Sequence, residues 1–231
     1  MFLQSLLVSV AGGIICLDRV FVQAMISRPI VAGPLMGFIL SDPYTGLITG
    51  AFIELFWIDR LPVGTCLPPN DSVVAILAAS SSIIAGQQLG AVSRELIALS
   101  VLFFLPVGYL GRKMDAFIIS SNDALLLEGI EDAKRANIAA LSRTHIKGLV
   151  KHFSLTSSLL FISVLAGTYV LTTAFPHLPL PVVKALDITY CLLPLLGVAV
   201  AINTINLRGT IPIFIASFLT IAVILEFVHG K

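Results

Sequence analysis

A glutamate in the middle of an apolar run is the first residue in this chain that could do chemistry. Glu54 sits in GLITGAFIELFWIDRLPVGTCLPPND, residues 46–71, with Asp59 and Arg60 a turn or two later and Pro62, Pro68 and Pro69 breaking the chain beyond them. An ionisable side chain in hydrocarbon costs ~2.5 to 3.5 kcal/mol on insertion scales, so it persists where it is paired, faces a cavity or works on a ligand. Other polar groups gather in the same third of the chain: Asp18, Arg19, Gln23, Arg28, Asp42, Asn70 and Asp71. Carboxylates and amides in such number suit a sugar, whose hydroxyls each donate and accept, while an aromatic face such as that of Trp57 packs the apolar side of the ring. A structural reading competes. Arg28 or Arg60 could pair with Asp42 or Asp59 simply to neutralise buried charge, and Asn70 or Asp71 could cap a helix beginning at Ser72. No cation stands at helical spacing before Glu54, and Arg60 lies six residues beyond it, which favours a working role for the glutamate.

Enzyme chemistry finds little support. The sequence contains no Walker loop, no GxGxxG turn, no HExxH helix and no serine nucleophile elbow. His145 and His152 lie in a basic segment with nothing near them that resembles a phosphohistidine site, so they read as solvated or interface residues, as do His177 and His229. Cys16, Cys66 and Cys191 are odd in number, far apart and set in apolar or proline-rich surroundings, and read as small buried hydrophobes. No metal or cofactor is implied.

The elements that must position these groups are those of a membrane protein. The chain has 231 residues, of which 57% are hydrophobic and only 12% charged, with a mean hydropathy of +1.01; soluble domains carry about a quarter charged residues. A net charge of +1 gives no steering toward nucleic acid. Apolar stretches long enough for helical spans run from Met1 to Leu17, Ser72 to Leu89, Glu95 to Leu110, Phe153 to Phe175, Ile188 to Ile205 and Ile211 to Val228. The first reads as a span rather than a signal peptide, because no Lys or Arg precedes it and Asp18-Arg19 stands where a cleavage site would be. Pro29 to Leu40 and Gly46 to Ile58 are too short to cross and are joined by a turn in which Asp42 can cap the second helix, so the pair reads as a re-entrant hairpin. Broken backbone at membrane depth is tolerated only inside protein or around a wet cavity. A matching irregularity follows in the second half, with Pro194, Gly197, Asn203, Asn206, Arg208, Gly209 and Pro212 in otherwise apolar sequence, and paired interruptions of this kind point to a transporter's central site. Between the halves, Gly111 to His152 carries seven of the fourteen Lys and Arg residues, which places it in the cytoplasm by the positive-inside rule. Leu126, Ile130, Ala133, Ile138 and Leu141 recur there at roughly helical spacing, the pattern of one amphipathic helix lying at the interface or against a partner.

Taken together, LDR at 17–19, Gln23, RPIVAGPLMGFILSD from Arg28, TGLITGAFIELFW from Thr45 and PVGTCLPPND from Pro62 resemble the IIC membrane subunit of the mannose/fructose/sorbose family of the bacterial sugar phosphotransferase system. INTINLRGTIPIFIASF in the second half is similar more loosely. The resemblance implies a single all-α integral membrane domain with about six full spans and a re-entrant hairpin at 29–71, built as a mobile core on a V-shaped scaffold and working as an elevator. It also implies a hexose substrate carried across the bacterial inner membrane, a IID membrane partner, assembly of IIC–IID pairs into a higher oligomer, and soluble IIB and IIA subunits that carry the phosphoryl group. Position by position, Gln23, Glu54 and the polar residues after the double proline, Asn70 and Asp71, would line the sugar site, with Trp57 and Asp59 as further candidates. The chain departs from the family pattern in three places. Asn70 stands where Asp is usual, with the carboxylate one residue later; Asp59-Arg60 replaces a small and an uncharged residue; and the interval from Gln23 to Arg28 is expanded. Two rival functions are a membrane scaffold or regulatory subunit that moves no sugar, and an ion-coupled transporter in which Glu54 carries a proton.

Overall fold

A computed structural model describes residues 1–60, 67–205, 212, 215–220 and 223, and what it describes is almost entirely helical. The chain runs through α1 (Phe2–Leu17), α2 (Pro29–Ile39), α3 (Pro43–Phe56), α4 (Asp71–Leu89), α5 (Arg94–Phe104), α6 (Val107–Lys134), α7 (Ile138–Ala174), a single 3-10 turn (Phe175–His177) and α8 (Leu180–Ile205). Among the described residues, four helical stretches are long and apolar enough to cross a membrane: Asp71–Leu89, Arg94–Lys134, Ile138–His177 and Leu180–Asn203. The expected last span, Ile211 to Val228, lies mostly outside the described residues, as do Cys66, Asn206, Arg208, Gly209 and His229.

The core is organised on α4. A helix apolar on all sides has no surface to offer water and must be enclosed, and every side chain from Val73 to Ala79 on α4 is fully buried. Val8 of α1, Met36 of α2, Ile53 of α3, Leu96 and Phe104 of α5 and Leu160 of α7 close around it. Polar groups join helices where the lining is apolar, as the Ser100 hydroxyl donates to the Ala78 carbonyl at 2.9 Å. Asn70 caps α4, its side-chain oxygen accepting from the Val73 amide at 3.1 Å, and Gly90 ends it at φ +98°, a conformation that glycine adopts without a Cβ clash.

The two short helices form the predicted hairpin. Pro29 starts α2, and Asp42 caps α3 by accepting from the Thr45 amide at 3.1 Å and from the Thr45 hydroxyl at 2.5 Å. Glycine lets the pair meet backbone to backbone: a Cβ on Gly33 would overlap the Gly46 carbonyl, and one on Gly50 would overlap that of Pro29.

Helices α6 and α7 change the expected picture of the connector. The segment read as one amphipathic helix is two, separated at residues 135–137. Ala136 takes a left-handed φ of +52° and closes α6, while Asn137 starts α7 by accepting from the Ala140 amide at 3.1 Å. The 37 residues of α7 rise ~55 Å against a hydrocarbon core of ~30 Å, so an antiparallel arm of α6 and α7 extends well past the membrane-spanning parts. Lys147 with Glu128 at 3.5 Å and the Lys151 ammonium donating to the Ser121 carbonyl at 3.0 Å tie its two helices together. Cys191, expected to be buried, is exposed; this stretch of α8 presents apolar surface outward, with Ile188 and Leu192 exposed beside it, as suits a face turned to lipid.

Candidate functional site

The site begins with a loop wound around one carboxylate. Asp18, immediately after α1 and 5% exposed, accepts hydrogen bonds from the amides of Ala24 at 2.8 Å and Ser27 at 3.1 Å and from the Ser27 hydroxyl at 3.3 Å. Its own carbonyl accepts from the Gln23 amide at 2.6 Å. To close on Asp18 the loop puts Gln23 at φ +57° and Met25 at φ +62°, a region that side chains other than glycine rarely enter and that costs ~1 to 3 kcal/mol where they do. Burial pushes the Asp18 carboxyl up, but the backbone N–H groups of Ala24, Ser27 and Ile26 together hold it below the usual range. A depressed carboxyl contributes stability that is complete above its unfolded value of ~3.9 and is lost as the pH falls through the folded value. Protection of the Ala24 and Ser27 amides, measured against their intrinsic exchange rates, is therefore expected to hold from neutral pH down to about 4 and to fall below it. Asp18→Ala should expose both amides at every pH, and protection that persists in that variant would show that something else shapes the loop.

This loop forms one wall of a cavity of ≈740 Å³. Asp18, Arg19, Gln23 and Arg28 face it from the loop, Arg60 and the segment Leu67, Pro68 and Asp71 from the approach to α4. Asp115, Ile118, Ile119 and Asn122 line it from α6, and His145, Gly148, Leu149 and His152 from α7. Arg19 pairs with Asp71, and its guanidinium also donates to the Ser72 hydroxyl at 3.1 Å. The α4 N-terminus and the end of α1 are thus joined across the floor of the cavity.

The six sequence-derived candidates distribute unevenly about it. Gln23 and Asp71 line the cavity. Asn70 stands one step behind: it caps α4, and its amide donates to Asp115 Oδ2 at 2.9 Å, without itself lining the cavity. Glu54, in the last turn of α3, pairs with Arg28 and accepts from the Ile30 amide at 3.4 Å; it adjoins the cavity through Arg28, which faces it. The cation absent from the helical neighbourhood of Glu54 thus comes from the loop before α2, folded back by the hairpin. Trp57 packs its ring against α6, where a Cβ on Gly108 would lie 3.2 Å from it. Asp59 pairs with Arg60 at 3.3 Å, and Asp59 does not line the cavity.

Among the polar lining residues, Asp115, Asn122, His145 and His152 were not singled out for the site from the sequence. His152, read as solvated or interfacial, is buried, on the helix whose next turns pack against Gly12 and Gly13 of α1. A signal was present. Positions 115, 118, 119 and 122 on α6, and 145, 148, 149 and 152 on α7, both follow the i, i+3, i+4, i+7 spacing of a single helix face. In each stripe the polar residues hold the two ends and the smaller or apolar ones the middle.

Comparison with known proteins adds to this geometry. A family model described as the sorbose-specific IIC component of the PTS system matches residues 2–228. The chain is 25% identical over 220 residues to the fructose permease IIC component of Bacillus subtilis (strain 168), an alignment covering 95% of this chain and 79% of that protein. It is 23% identical over 221 residues to the mannose-specific EIIC component of Escherichia coli (strain K12), covering 95% and 80%. The fold is similar to that of a chain in the cryo-electron microscopy structure of the mannose transporter ManYZ with microcin E492, with a TM-score of 0.61, 22% identity and coverage of 99% and 90%. A further structure, described as a membrane protein, gives a TM-score of 0.74 at 22% identity, covering 100% and 92%.

Proposed function

We infer the role of this chain from one premise: it belongs to the sorbose-specific IIC component family of the bacterial sugar phosphotransferase system. It is a multi-pass membrane protein and a sugar transport subunit of the mannose/fructose/sorbose type, which the names of its relatives favour over a scaffold that moves nothing. We propose that it carries a hexose across the bacterial inner membrane for phosphorylation on the cytoplasmic side. The observation that carries this reading is the polar cavity at the root of the basic α6/α7 arm. Lys and Arg concentrate on that arm, so the positive-inside rule turns it, and the mouth of the cavity, to the cytoplasm.

In this reading Gln23 and Asp71 contact the sugar, Asn70 holds the lining in place, and Glu54 with Arg28 forms the charged shoulder of the site at the base of the hairpin. Trp57 and Asp59 act from outside the lining, on α6 packing and on the approach. The hairpin and α4 form the mobile core of an elevator, carried against a scaffold to which α8 belongs. Sugar held by a set of already paired carboxylates needs no ion to neutralise it, which suits group translocation. A IID subunit is the membrane partner, as the ManYZ assembly suggests; IIB and IIA carry the phosphoryl group, and IIC–IID pairs assemble further.

The deciding experiment is uptake of labelled hexoses into vesicles holding this chain with its IID, IIB and IIA partners and the soluble carriers that pass the phosphoryl group from phosphoenolpyruvate to IIA, with and without phosphoenolpyruvate. Sugar phosphate is expected to accumulate, and only with phosphoenolpyruvate. Free sugar accumulating under a proton gradient would replace this mechanism with ion coupling, and no uptake of any hexose by the assembled complex would leave a scaffold.

A further inference from the structure

The cavity wall presents its charges unevenly. Among the described residues three arginines and three aspartates line it, but the aspartates have little bonding capacity left. Asp18 is held by the amides of its own loop, Asp71 by Arg19 and by the Ser72 amide at 2.8 Å, and Asp115 gives one oxygen to the Asn70 amide and buries the other. The two arginines at the base of the hairpin are the reverse. Arg28 stands just before α2 and Arg60 four residues past the end of α3, and the hairpin brings both to one end, with the Pro29 and Gly50 backbones in contact. Arg28 and Arg60 line the cavity, whereas their carboxylate partners, Glu54 and Asp59, do not. Each pair turns its cation inward and keeps its anion behind the wall.

Both guanidinium groups also keep donors to spare, since each carries five N–H groups on three nitrogens. Arg60 meets Asp59 through Nε at 3.3 Å, and its Nη1 and Nη2 fork makes no hydrogen bond among the described residues. A turn in which the Arg60 amide donates to the Trp57 carbonyl at 2.9 Å fixes where that side chain starts. Arg28 meets Glu54 through Nη2. The two side chains are 61% and 36% exposed, so they are open to what enters the cavity. A sugar hydroxyl makes an ordinary hydrogen bond to such a group, whereas a phosphate meets the planar fork with two oxygens at once, in charge-assisted bonds about twice as strong. A phosphomonoester carries about −1.5 to −2 charges at pH 7, which two guanidinium groups match. A cavity of ≈740 Å³ has room for a hexose ring and its phosphoryl group together.

We propose that the base of the hairpin is a phosphate subsite, in which Arg28 and Arg60 hold the phosphoryl group of a hexose phosphate whose ring lies toward Gln23 and Asp71. This rests on the transport reading and deepens it. The phosphorylated sugar, formed on the cytoplasmic side, occupies the mouth of the cavity and competes with sugar that is still to be carried. Transport is thereby slowed by its own product.

The test is equilibrium binding to this chain assembled with its IID partner in lipid nanodiscs, with a hexose panel, the 1- and 6-phosphates of the same hexoses, and inorganic phosphate as probes. One hexose phosphate should bind about tenfold more tightly than its parent hexose and displace it. High salt should shrink that advantage and leave the parent hexose unchanged. Arg60→Gln should abolish the advantage, again with the parent hexose unchanged, and Arg60→Lys, which keeps the charge but not the fork, should retain part of it. If hexoses bind and their phosphates bind no better, or if the advantage survives Arg60→Gln, the subsite is overturned and the transport reading survives. Inorganic phosphate that binds as tightly as the best hexose phosphate without displacing the hexose would overturn it too, by making the arginines a free-anion site apart from the sugar. In the vesicle assay, a loss of sugar phosphate formation in Arg60→Gln with hexose phosphate binding unaltered would set the arginine against the protein phosphoryl donor instead. If the wild-type complex binds neither hexose nor hexose phosphate, the transport reading falls and the subsite with it.

Discussion

Glu54→Gln is expected to cut hexose uptake by about a hundredfold while leaving membrane insertion and thermal stability nearly intact. The loss follows from replacing a charged acceptor, whose hydrogen bonds are worth ~1.5 to 3 kcal/mol, by a neutral one of the same shape, at 1.4 kcal/mol per decade. The preserved stability follows from the geometry of its partner. The Arg28 side chain is 36% exposed against 14% for Glu54, so the guanidinium left behind is hydrated and its loss of partner costs ~1 kcal/mol or less, not the 3 to 5 of a sealed pair. Glutamine can still accept from the Ile30 amide that Glu54 now engages. Uptake assayed beside a melting curve in detergent separates the outcomes. A collapse of the melting temperature, with uptake restored by pairing Glu54→Gln with Arg28→Gln, would make the ion pair a structural clamp and remove Glu54 from the sugar's path.

Arg19→Ala is the second large effect, and it should appear in stability as well as transport. Arg19 is the cation that meets Asp71 at the start of α4 and reaches Ser72 beside it, with Asp115 lining the same cavity. Removing it leaves two carboxylates around one space without that cation. The pair is 28% and 18% exposed, so the destabilisation should be ~2 kcal/mol, below the range for fully buried pairs. Asp71→Asn added to Arg19→Ala should recover most of that stability by discharging the orphaned carboxylate, yet leave uptake low because a lining acceptor has changed. Thermal melts of the wild type, two single variants and the double variant measure the coupling; an additive result would show that Arg19 and Asp71 stabilise the fold independently.

Several features are legible in the amino-acid sequence because neighbours along the chain set them. Chain length between breakers marks α2 and α3 as too short to cross, and Asp42 and Asn70 are caps because a short polar side chain two or three residues ahead of free amides has little else to do. The apolar bulk of α4 dictates its burial. The same local logic fails at the connector, where the apolar spacing from Leu126 to Leu141 runs on through the turn at Ala136 and Asn137: periodicity carries no mark of a reversal when both helices present apolar residues to each other. Cap chemistry at Asn137 is the better guide there.

Partnership is what the chain order leaves open. Glu54 meets Arg28 from 26 residues away only because Gly33, Gly46 and Gly50 let the two hairpin backbones touch; Arg19 meets Asp71 from 52 residues away across the end of α1. Asp115, Asn122, His145 and His152 stand in plain view on two regular stripes, yet which faces those stripes meet depends on the register of α6 against α7 and on α1 packing behind them. Local interactions reach about one helical turn, so they decide where helices start, stop and hide their apolar faces. Which carboxylate finds which cation, and which polar stripes enclose a cavity, is decided by the packing of helices distant in sequence, where burial makes one arrangement of charges far cheaper than the rest.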